Sequence, residues 1–369
     1  MQTIDADGHV IEPPDLWERE LPPSLRERGF HVRWNPEILQ EEVHVEGKLL
    51  LPAGIVGVGL AGRPFEDIGK GVRYTELRPG GLDPRQRLRD LDSERIDVAV
   101  LYPSIGLFLE AIEDPVLAEA CCRVYNDWLA DYCRADPRRL VGVAGIPMQD
   151  CDAAIREAER AVGELGMRGV FLRPNPCNGR PLHSRYFEPF WSAVEELGVP
   201  VALHPSGAGD LPGAMQGLPL DAPIMGHPTI FFVDEMIGFS HLVCGGVLER
   251  HPRLKVVVLE CGGGWLVHWF DRFDHFAKVY GWMAPELRAS PSEYFKRQCV
   301  ISFDPDETTL PALAPLIGED RIVWASDYPH LDATFPGVVD ELEEHLEKLP
   351  ESARDKVRGA NAARLYGLA

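Results

Sequence analysis

Carboxylates and imidazoles stand at the ends of several short apolar runs, where they could bind a metal ion. The run IDADGHV carries Asp5, Asp7 and His9, and later runs end at His204 (VALHP), Glu260 (VVVLE) and Asp327 (IVWASD). Imidazole nitrogens and carboxylate oxygens are ligands of zinc, manganese and non-haem iron. One such residue alone would be an ordinary polar residue at a strand exit. Four endings of the same chemical type predict a shared metal site.

Buried parallel strands are the elements that would position these residues. An apolar run of four to eight residues ending in a polar group is typical of such a strand. Eight runs alternate with helix-like amphipathic stretches: IDADGHV, VAVLYP, LVGVAGIP, GVFLRP, VPVALHP, KVVVLE, CVISF and RIVWASD. The alternation predicts a parallel sheet, and the count of eight predicts a closed (β/α)8 barrel. The carboxyl ends of barrel strands share one face, where loops build the active site.

The remaining segments are predicted to surround that barrel. Residues 10–80 are rich in Pro and Gly and are interpreted as an irregular insertion covering the barrel mouth. Two helices, GVVDELEEHLEKL and ESARDKVRGANAARLYGL, close a single domain of residues 1–369. We expect residues 10–80 and 207–240 to cover the face that holds the ligands and to exclude water from it. The segment GAMQGLPLDAPIMGHPTIFF suits an apolar substrate.

Composition excludes several classes of partner. The 37 basic and 58 acidic residues give a formal charge of −21, which repels nucleic acid and anionic membranes. The eight cysteines contain no CxxC pair, as expected of a reducing compartment. Neither a signal peptide nor an apolar stretch of about 18 residues is visible, so a cytoplasmic protein is expected. No GxGxxG or GxxxxGK[ST] fingerprint follows a strand, which disfavours nucleotide binding.

Together these motifs resemble the amidohydrolase-related family, in the branch of aminocarboxymuconate semialdehyde decarboxylase and the resorcylate-type decarboxylases. The resemblance runs through IDADGHVIEPPDLW, GMRGVFLRPNP, LHPSG, GGVLERHPRLKVVVLECGGGW, SDYPH and NAARLYGL. It implies the amidohydrolase type of barrel and a metal site. The chain departs from the family in having Asp7 and His9 where two histidines are common, and Cys261 where the acid–base histidine belongs. The family's proton donor is therefore missing or relocated.

The predicted site residues fall into four groups. The metal ligands are Asp7, His9, His204, Glu260 and Asp327. A second metal could be bound by Asp5, His227, His268 and His330. The catalytic groups are Asp327, Glu260 and His330. Arg173, at the end of the fourth strand, either faces a core carboxylate or holds a substrate carboxylate through a bidentate pair.

Three functions are open. The preferred one follows a further resemblance, to an actinomycete group of non-haem di-iron monooxygenases in diterpenoid (platensimycin-type) biosynthesis. It implies two iron ions, hydroxylation of a hydrophobic small molecule and a separate electron-donor reductase. The second is a zinc- or manganese-dependent hydrolase or decarboxylase of a small carboxylate. The third is a metal-free barrel that binds a small molecule. A homo-oligomer is compatible with all three.

Overall fold

The computed structural model describes residues 2–51, 54–64, 71–206 and 223–368, apart from the side chains of 56 and 223–227. Its strands are β1 (Ile4–His9), β2 (His31–Asn35), β3 (Gln40–Val45), β4 (Lys48–Leu49), β5 (Val98–Tyr102), β6 (Leu140–Gly142), β7 (Ala144–Gly145), β8 (Val170–Leu172), β9 (Pro200–Leu203), β10 (Lys255–Val258), β11 (Cys299–Phe303) and β12 (Ile322–Trp324). Each of the eight predicted apolar runs contains a strand; β6 and β7 divide the third run at Val143.

The parallel strands surround one core. Their hydrogen-bonded order is β1-β5-β6 followed by β7-β8-β9-β10-β11-β12. The first and last positions meet, because the Asp327 amide donates to the carbonyl of Asp7 (3.0 Å) and the His9 amide donates to the carbonyl of Tyr328 (2.7 Å). These bonds bring the two sheet edges together around the core, in the (β/α)8 arrangement that the sequence predicts.

Helices follow the parallel strands. They are α1 (Leu16–Glu20), α2 (Pro79–Leu82), α3 (Pro84–Glu94), α4 (Pro115–Cys133), α5 (Cys151–Gly163), α6 (Glu188–Leu197), α7 (Pro223–Cys244), α8 (Val247–Arg250), α9 (Leu266–Tyr280), α10 (Pro291–Gln298), α11 (Leu310–Ile317), α12 (Val338–Leu346), α13 (Glu351–Asp355) and α14 (Asn361–Tyr366). Local sequence sets their starts. Asp83 and Asp114 accept from the backbone amides of Arg85 and Val116, and a proline follows each aspartate.

The N-terminal insertion is more regular than predicted. Strands β2, β3 and β4 form an antiparallel sheet within residues 31–49. Val43 and Val45 are fully buried and alternate with polar neighbours, a period of two that the surrounding Pro and Gly content concealed. Farther along, the Ala61 amide donates to the carbonyl of Pro329 (3.1 Å) and the Leu331 amide donates to that of Gly57 (3.0 Å). Residues 54–64 therefore lie against the loop after β12, at the carboxyl-end face.

Two further observations concern membrane-spanning helices and disulfide bonds. No helix in the described ranges is both long and apolar enough to cross a bilayer. All eight cysteines are free thiols, most of them buried. The division into a single domain and the cytoplasmic location stay predictions.

Candidate metal centre

Two aspartates and two histidines converge where β1, β9 and β12 end. The Nε2 atom of His9 lies 3.4 Å from Asp7 Oδ1 and 3.3 Å from Asp327 Oδ1. The Nε2 atom of His204 lies 3.4 Å from Asp7 Oδ2 and 3.2 Å from His9 Nε2. Asp7, His9 and His204 are fully buried, and the Asp327 side chain is 16% exposed. Groups spread over more than 300 positions of sequence thus surround one point.

The hydrogen bonds of the two imidazoles fix which nitrogen faces that point. His9 Nδ1 lies 2.7 Å from the carbonyl of Pro103, and His204 Nδ1 lies 2.7 Å from that of Pro205. A carbonyl only accepts, so both Nδ1 atoms carry hydrogen and, in the neutral rings, both Nε2 atoms present lone pairs to each other. Both Asp7 oxygens are buried without a hydrogen-bond donor in the described part of the chain. Such groups are stable beside a cation, and the residues fit a divalent metal ion.

Glu260 stands at the edge of this cluster. Its Oε2 lies 3.4 Å from His204 Nδ1, and its side chain is only 12% exposed. Burial and the charges of Asp327 and Asp7 hold the pKa of Glu260 well above its usual value. The nearby glycine amide that could have neutralised this carboxylate, that of Gly263, donates to Glu307 instead (2.9 Å). Glu260 thus contacts the Nδ1 side of His204, beside the point that the Nε2 atoms face, and its role as a metal ligand stays a prediction.

Backbone conformation supports the same interpretation. Glu260 has φ of 48° and Asp327 has φ of 55°, in the left-handed region that side chains other than glycine rarely occupy. Such conformations cost free energy and persist where the surrounding structure enforces them, often at functional sites. Each carboxylate thus lies on a strained turn that follows a barrel strand, Glu260 after β10 and Asp327 after β12.

His330 forms a charged pair with Asp327. Its Nδ1 lies 2.8 Å from Asp327 Oδ1, and its Nε2 lies 2.9 Å from the hydroxyl of Ser104, which donates to the carbonyl of Val10. The hydroxyl thus accepts from Nε2, and a second proton belongs between Nδ1 and the carboxylate. Burial alone would lower the pKa of His330, but the Asp327 carboxylate raises it. Burial alone would raise the pKa of Asp327, but His330 holds it far below its usual range.

Asp5 does not join the cluster, contrary to its assignment as a second-metal ligand. The Ser326 amide and hydroxyl donate to its two oxygens, at 2.9 and 2.6 Å. The pairing of β1 with β5 shifts register between Asp5 and Gly8, so strict alternation does not carry from Asp5 to the later residues. Burial raises the pKa of Asp5 to about 6 against the lowering effect of its partners.

Three other predicted residues have different outcomes. His268 is exposed on α9, whose buried stripe contains Leu266, Trp269 and Phe270, and the metal-type groups of the described residues do not include it. The side chain of His227 lies outside the described residues. Arg173 is buried directly after β8, and its amide donates to Glu110 (2.8 Å). Its role in binding a substrate carboxylate stays a prediction.

Two important residues were missed by the sequence analysis. Glu235 on α7 is fully buried, and neither carboxylate oxygen has a hydrogen-bond partner among the described residues. Burial and the charges of Asp234 and Asp7 hold the pKa of Glu235 well above its usual value. Arg87 on α3, also fully buried, donates to the carbonyls of His9 (2.9 Å) and Tyr328 (3.2 Å). The acidic pair in IFFVDEMIGF was a usable signal for Glu235, whereas RQRLRDLD resembles an ordinary exposed helix face.

A cavity of about 330 Å³ opens beside the cluster. Its walls are Pro228, Phe231 and Phe232 of α7 and the loop residues Glu260, Cys261, Gly262, Asp304, Asp327 and Asp332. The part of the predicted cover that α7 provides therefore lines the site, while residues 207–222 lie outside the described residues. Aromatic rings on one wall and ligand carboxylates on the other suit a small, partly apolar molecule.

Comparison with known proteins identifies relatives along the whole chain. The amidohydrolase family model matches residues 4–368. A 2-amino-3-carboxymuconate-6-semialdehyde decarboxylase of Dictyostelium discoideum is 29% identical, covering 99% of this chain and 91% of that protein. A gamma-resorcylate decarboxylase of Polaromonas sp. is 28% identical, covering 89% and 98%. The solved 5-carboxyvanillate decarboxylase of Novosphingobium aromaticivorans, complexed with manganese and 4-hydroxy-3-methoxy-5-nitrobenzoic acid, has a TM-score of 0.74 at 21% identity, covering 100% and 96%.

These relatives overturn the preferred functional prediction. The two curated relatives above, which match 99% and 89% of the chain, are decarboxylases, so the interpretation as a non-haem iron monooxygenase is wrong. Its iron ions and electron-donor reductase have no support either. The mixture of Asp and His ligands, which favoured iron at the level of sequence, is equally suited to manganese. The predicted metal site and the amidohydrolase type of barrel are supported.

Proposed function

The chain belongs to the amidohydrolase family, and from this premise we propose that it is a metal-dependent decarboxylase of a small aromatic or unsaturated carboxylic acid. The observation that carries the proposal is the convergence of Asp7, His9, His204 and Asp327 beside the cavity under α7. The names of the two curated relatives support the reaction class, because both describe loss of a carboxylate from an unsaturated or aromatic acid.

One divalent cation would be held by Asp7, His9, His204 and Asp327, with Glu260 as a further ligand. Manganese suits this oxygen-rich set, and zinc is the alternative. The cation would supply positive charge that binds the substrate's carboxylate or hydroxyl oxygens and stabilises negative charge left after loss of CO2. Arg173 is the candidate for a second contact to the substrate carboxylate.

Decarboxylation needs a proton donor near the carbon that loses its carboxylate. The C–C bond breaks, its electron pair stays on that carbon and a proton replaces the carboxylate, so that R–COO⁻ and H⁺ become R–H and CO2. Cys261 is unsuited to this task, because burial and the charge of Glu235 hold the pKa of its thiol well above its usual value. His330, which shares a proton with Asp327, is our candidate for the relocated donor.

The proposal is tested by measuring CO2 release from protein stripped of metal and reloaded with manganese. The panel contains gamma-resorcylate, 5-carboxyvanillate and the methyl esters of these two acids. We expect release from at least one free acid, no reaction of the esters, and loss of both metal and activity in His9→Ala. Hydrolysis of an ester without CO2 release would favour the hydrolase alternative. Protein that retains one metal per chain but releases no CO2 from any acid would contradict the proposal.

A further inference from the structure

A second cavity of about 370 Å³ lies at the opposite end of the barrel from the metal centre. It is bounded by the amino ends of β10, β11 and β12 and by α14. Five of its lining side chains are cationic, namely Arg253, Lys255, Arg297, Arg321 and Arg364. No acidic residue lines it in the described part of the chain. This is unexpected in a protein with 58 acidic and 37 basic residues, since a random patch of its surface would carry more carboxylates than cations.

Arg321 is the most informative of the five. It is half-buried, and its side chain has no hydrogen bond or ion pair with any residue that the structure describes. Burial and the neighbouring guanidinium of Arg364 lower the pKa of Arg321, and together they outweigh the raising effect of Cys299 and of the Asp320 carboxylate. A partly desolvated guanidinium beside a like charge is unfavourable unless an anion compensates it.

The other cations are held in place mainly by carbonyl oxygens rather than by counter-ions. Lys255 Nζ donates to the carbonyl of Gly198 (3.0 Å), and Arg297 donates to that of Leu248 (2.8 Å). Arg364 donates to the backbone carbonyl of Asp320 (2.7 Å). Arg253 lies 3.7 Å from Glu195 but is 73% exposed, where such a pair is worth little. Carbonyl oxygens orient these head groups without neutralising them.

The floor of the cavity is rigid. The side-chain amide nitrogen of Gln298 donates to the backbone carbonyls of His251 (2.7 Å) and Leu254 (3.1 Å). The amide nitrogen of Asn361 donates to the carbonyl of Ile322 (2.7 Å), and both side chains are buried. Because the floor is fixed by the backbone of the barrel, the cationic side chains project from a defined frame.

We propose that this cavity is a binding site for a small polyanion of the phosphate-ester class. Guanidinium groups bind phosphate oxygens through paired hydrogen bonds, and several cations around one cavity favour a ligand with more than one anionic group. The volume is within the range of small-molecule sites and exceeds what a single phosphate would fill. An extended polyanion is disfavoured by the net charge of −21. This proposal does not depend on the reaction at the metal centre.

The test is calorimetric titration of the full-length, metal-loaded protein with fructose 1,6-bisphosphate, and with uncharged fructose as the matched probe. We expect saturable binding of the bisphosphate at one site per chain, weakened by added salt, and no binding of fructose. Arg321→Gln should weaken binding about tenfold or more, the loss expected for a charge-assisted hydrogen bond. Arg321→Lys keeps the positive charge but loses the planar guanidinium group that forms paired hydrogen bonds. Its affinity for the bisphosphate should lie between those of the wild type and Arg321→Gln.

A control variant and two contrary results show whether the bisphosphate binds at this cavity. Arg134→Gln removes a 73% exposed arginine from the same end of the barrel and should leave affinity unchanged. Equal affinity in wild type and Arg321→Gln would place the ligand elsewhere, for example on the metal, and would overturn the proposal. The absence of saturable binding would overturn it as well. If Arg321→Gln fails to fold by circular dichroism, Arg364→Gln gives the same test at the exposed rim of the cavity.

Discussion

The two ends of the barrel differ in how they hold charge. At the carboxyl ends, Asp7, His9 and His204 are fully buried with ligand atoms within 4.8 Å of one another, and Asp327 lies 3.3 Å from His9. At the amino ends, the larger cavities, of about 740 and 370 Å³, are each lined by four arginines among apolar and other polar residues. Cavity size therefore does not indicate where the chemistry is. Buried polar groups without partners do, because they are costly unless a ligand completes them.

The larger amino-end cavity shows the contrast most clearly. Its lining contains both signs of charge in nearly equal numbers: four arginines (Arg134, Arg138, Arg139 and Arg168) and three acids (Asp97, Asp136 and Glu164). The candidate metal centre instead accumulates buried carboxylates, and burial together with the neighbouring His330 lowers the pKa of His9 to about 4. A bound cation would therefore offset unbalanced charge at the carboxyl ends, whereas the larger amino-end cavity already contains charges of both signs.

The largest effect is expected for Asp7→Asn. Both oxygens of Asp7 lack a donor among the residues that the structure describes, so the substitution removes the charge that a metal would neutralise. Metal affinity should fall by more than about 100-fold, beyond the range seen for residues outside the ligand shell, and CO2 release should disappear. Metal analysis after dialysis and activity assays measure both. Asp136→Asn, the same change at the amino-end cavity, should alter neither metal affinity nor CO2 release. Equal losses in the two variants would contradict the proposed difference between the two ends of the barrel.

His330→Gln should separate proton delivery from metal binding. Glutamine can still bond to Ser104 but cannot hold the proton shared with Asp327. The rate constant kcat should fall by about 10²–10⁴-fold while metal content stays at the wild-type value. His345→Gln, at a buried histidine of α12, is the matched control. Unchanged kcat in His330→Gln would exclude His330 as the proton donor.

Glu260→Gln tests whether this carboxylate is a ligand or a buried structural acid. The substitution keeps the shape and removes the charge that lies 3.4 Å from His204. We expect metal affinity and turnover to fall by about 10–100-fold. Glu164→Gln in the amino-end cavity should have no effect. Full metal occupancy and activity in Glu260→Gln would show that the ligand assignment is wrong.

Glu235→Gln tests whether a buried carboxylate outside the proposed ligand set affects metal affinity. If the buried carboxylate contributes negative charge to the metal through its closeness to Asp7, metal affinity should fall by about tenfold. The exposed Glu159→Gln on α5 serves as the control. A variant with wild-type metal affinity and greater thermal stability would show instead that Glu235 is a neutral acid whose burial only destabilises the fold.

The last effect concerns the pH dependence of stability rather than metal binding. Glu12 is fully buried at the carboxyl-end face, where it accepts from the amides of Ile105 (2.9 Å) and Gly106 (2.8 Å). Burial raises its pKa from 4.5 to about 7, so between these values the folded protein holds a proton that the unfolded chain releases. Its contribution to the free energy of unfolding therefore falls as pH rises through this window, by about 3 kcal/mol.

Glu12→Gln should abolish this dependence. Urea unfolding at about pH 5 and pH 8 should show a smaller difference between the two conditions in the variant than in wild type. The exposed Glu196→Gln on α6 should retain the wild-type difference. An unchanged pH dependence in Glu12→Gln would show that Glu12 is ionised in the folded state.

The fold and the metal cluster followed from sequence because apolar runs and their terminal ligands are local signals. Asp7, His9, His204 and Asp327 were predicted together for this reason. The outcome for Asp5 could not be predicted, because it depends on a register shift in one strand pair. The burial of Glu235 depends on how α7 packs over the barrel, which its composition does not specify. The reaction could not be derived either, since one set of Asp and His ligands serves several chemistries.

The hydrogen bonds that join the first strand to the loop after the last have a consequence for biosynthesis. Asp7 and His9 are translated at the start of the chain, whereas Asp327 arrives about 320 residues later and meets them only when β12 docks beside β1. A chain still on the ribosome can gather at most part of the ligand set. Capture of the proposed metal would thus mark the completion of the barrel, and a bound ion would stabilise the finished fold without stabilising its unfinished forms.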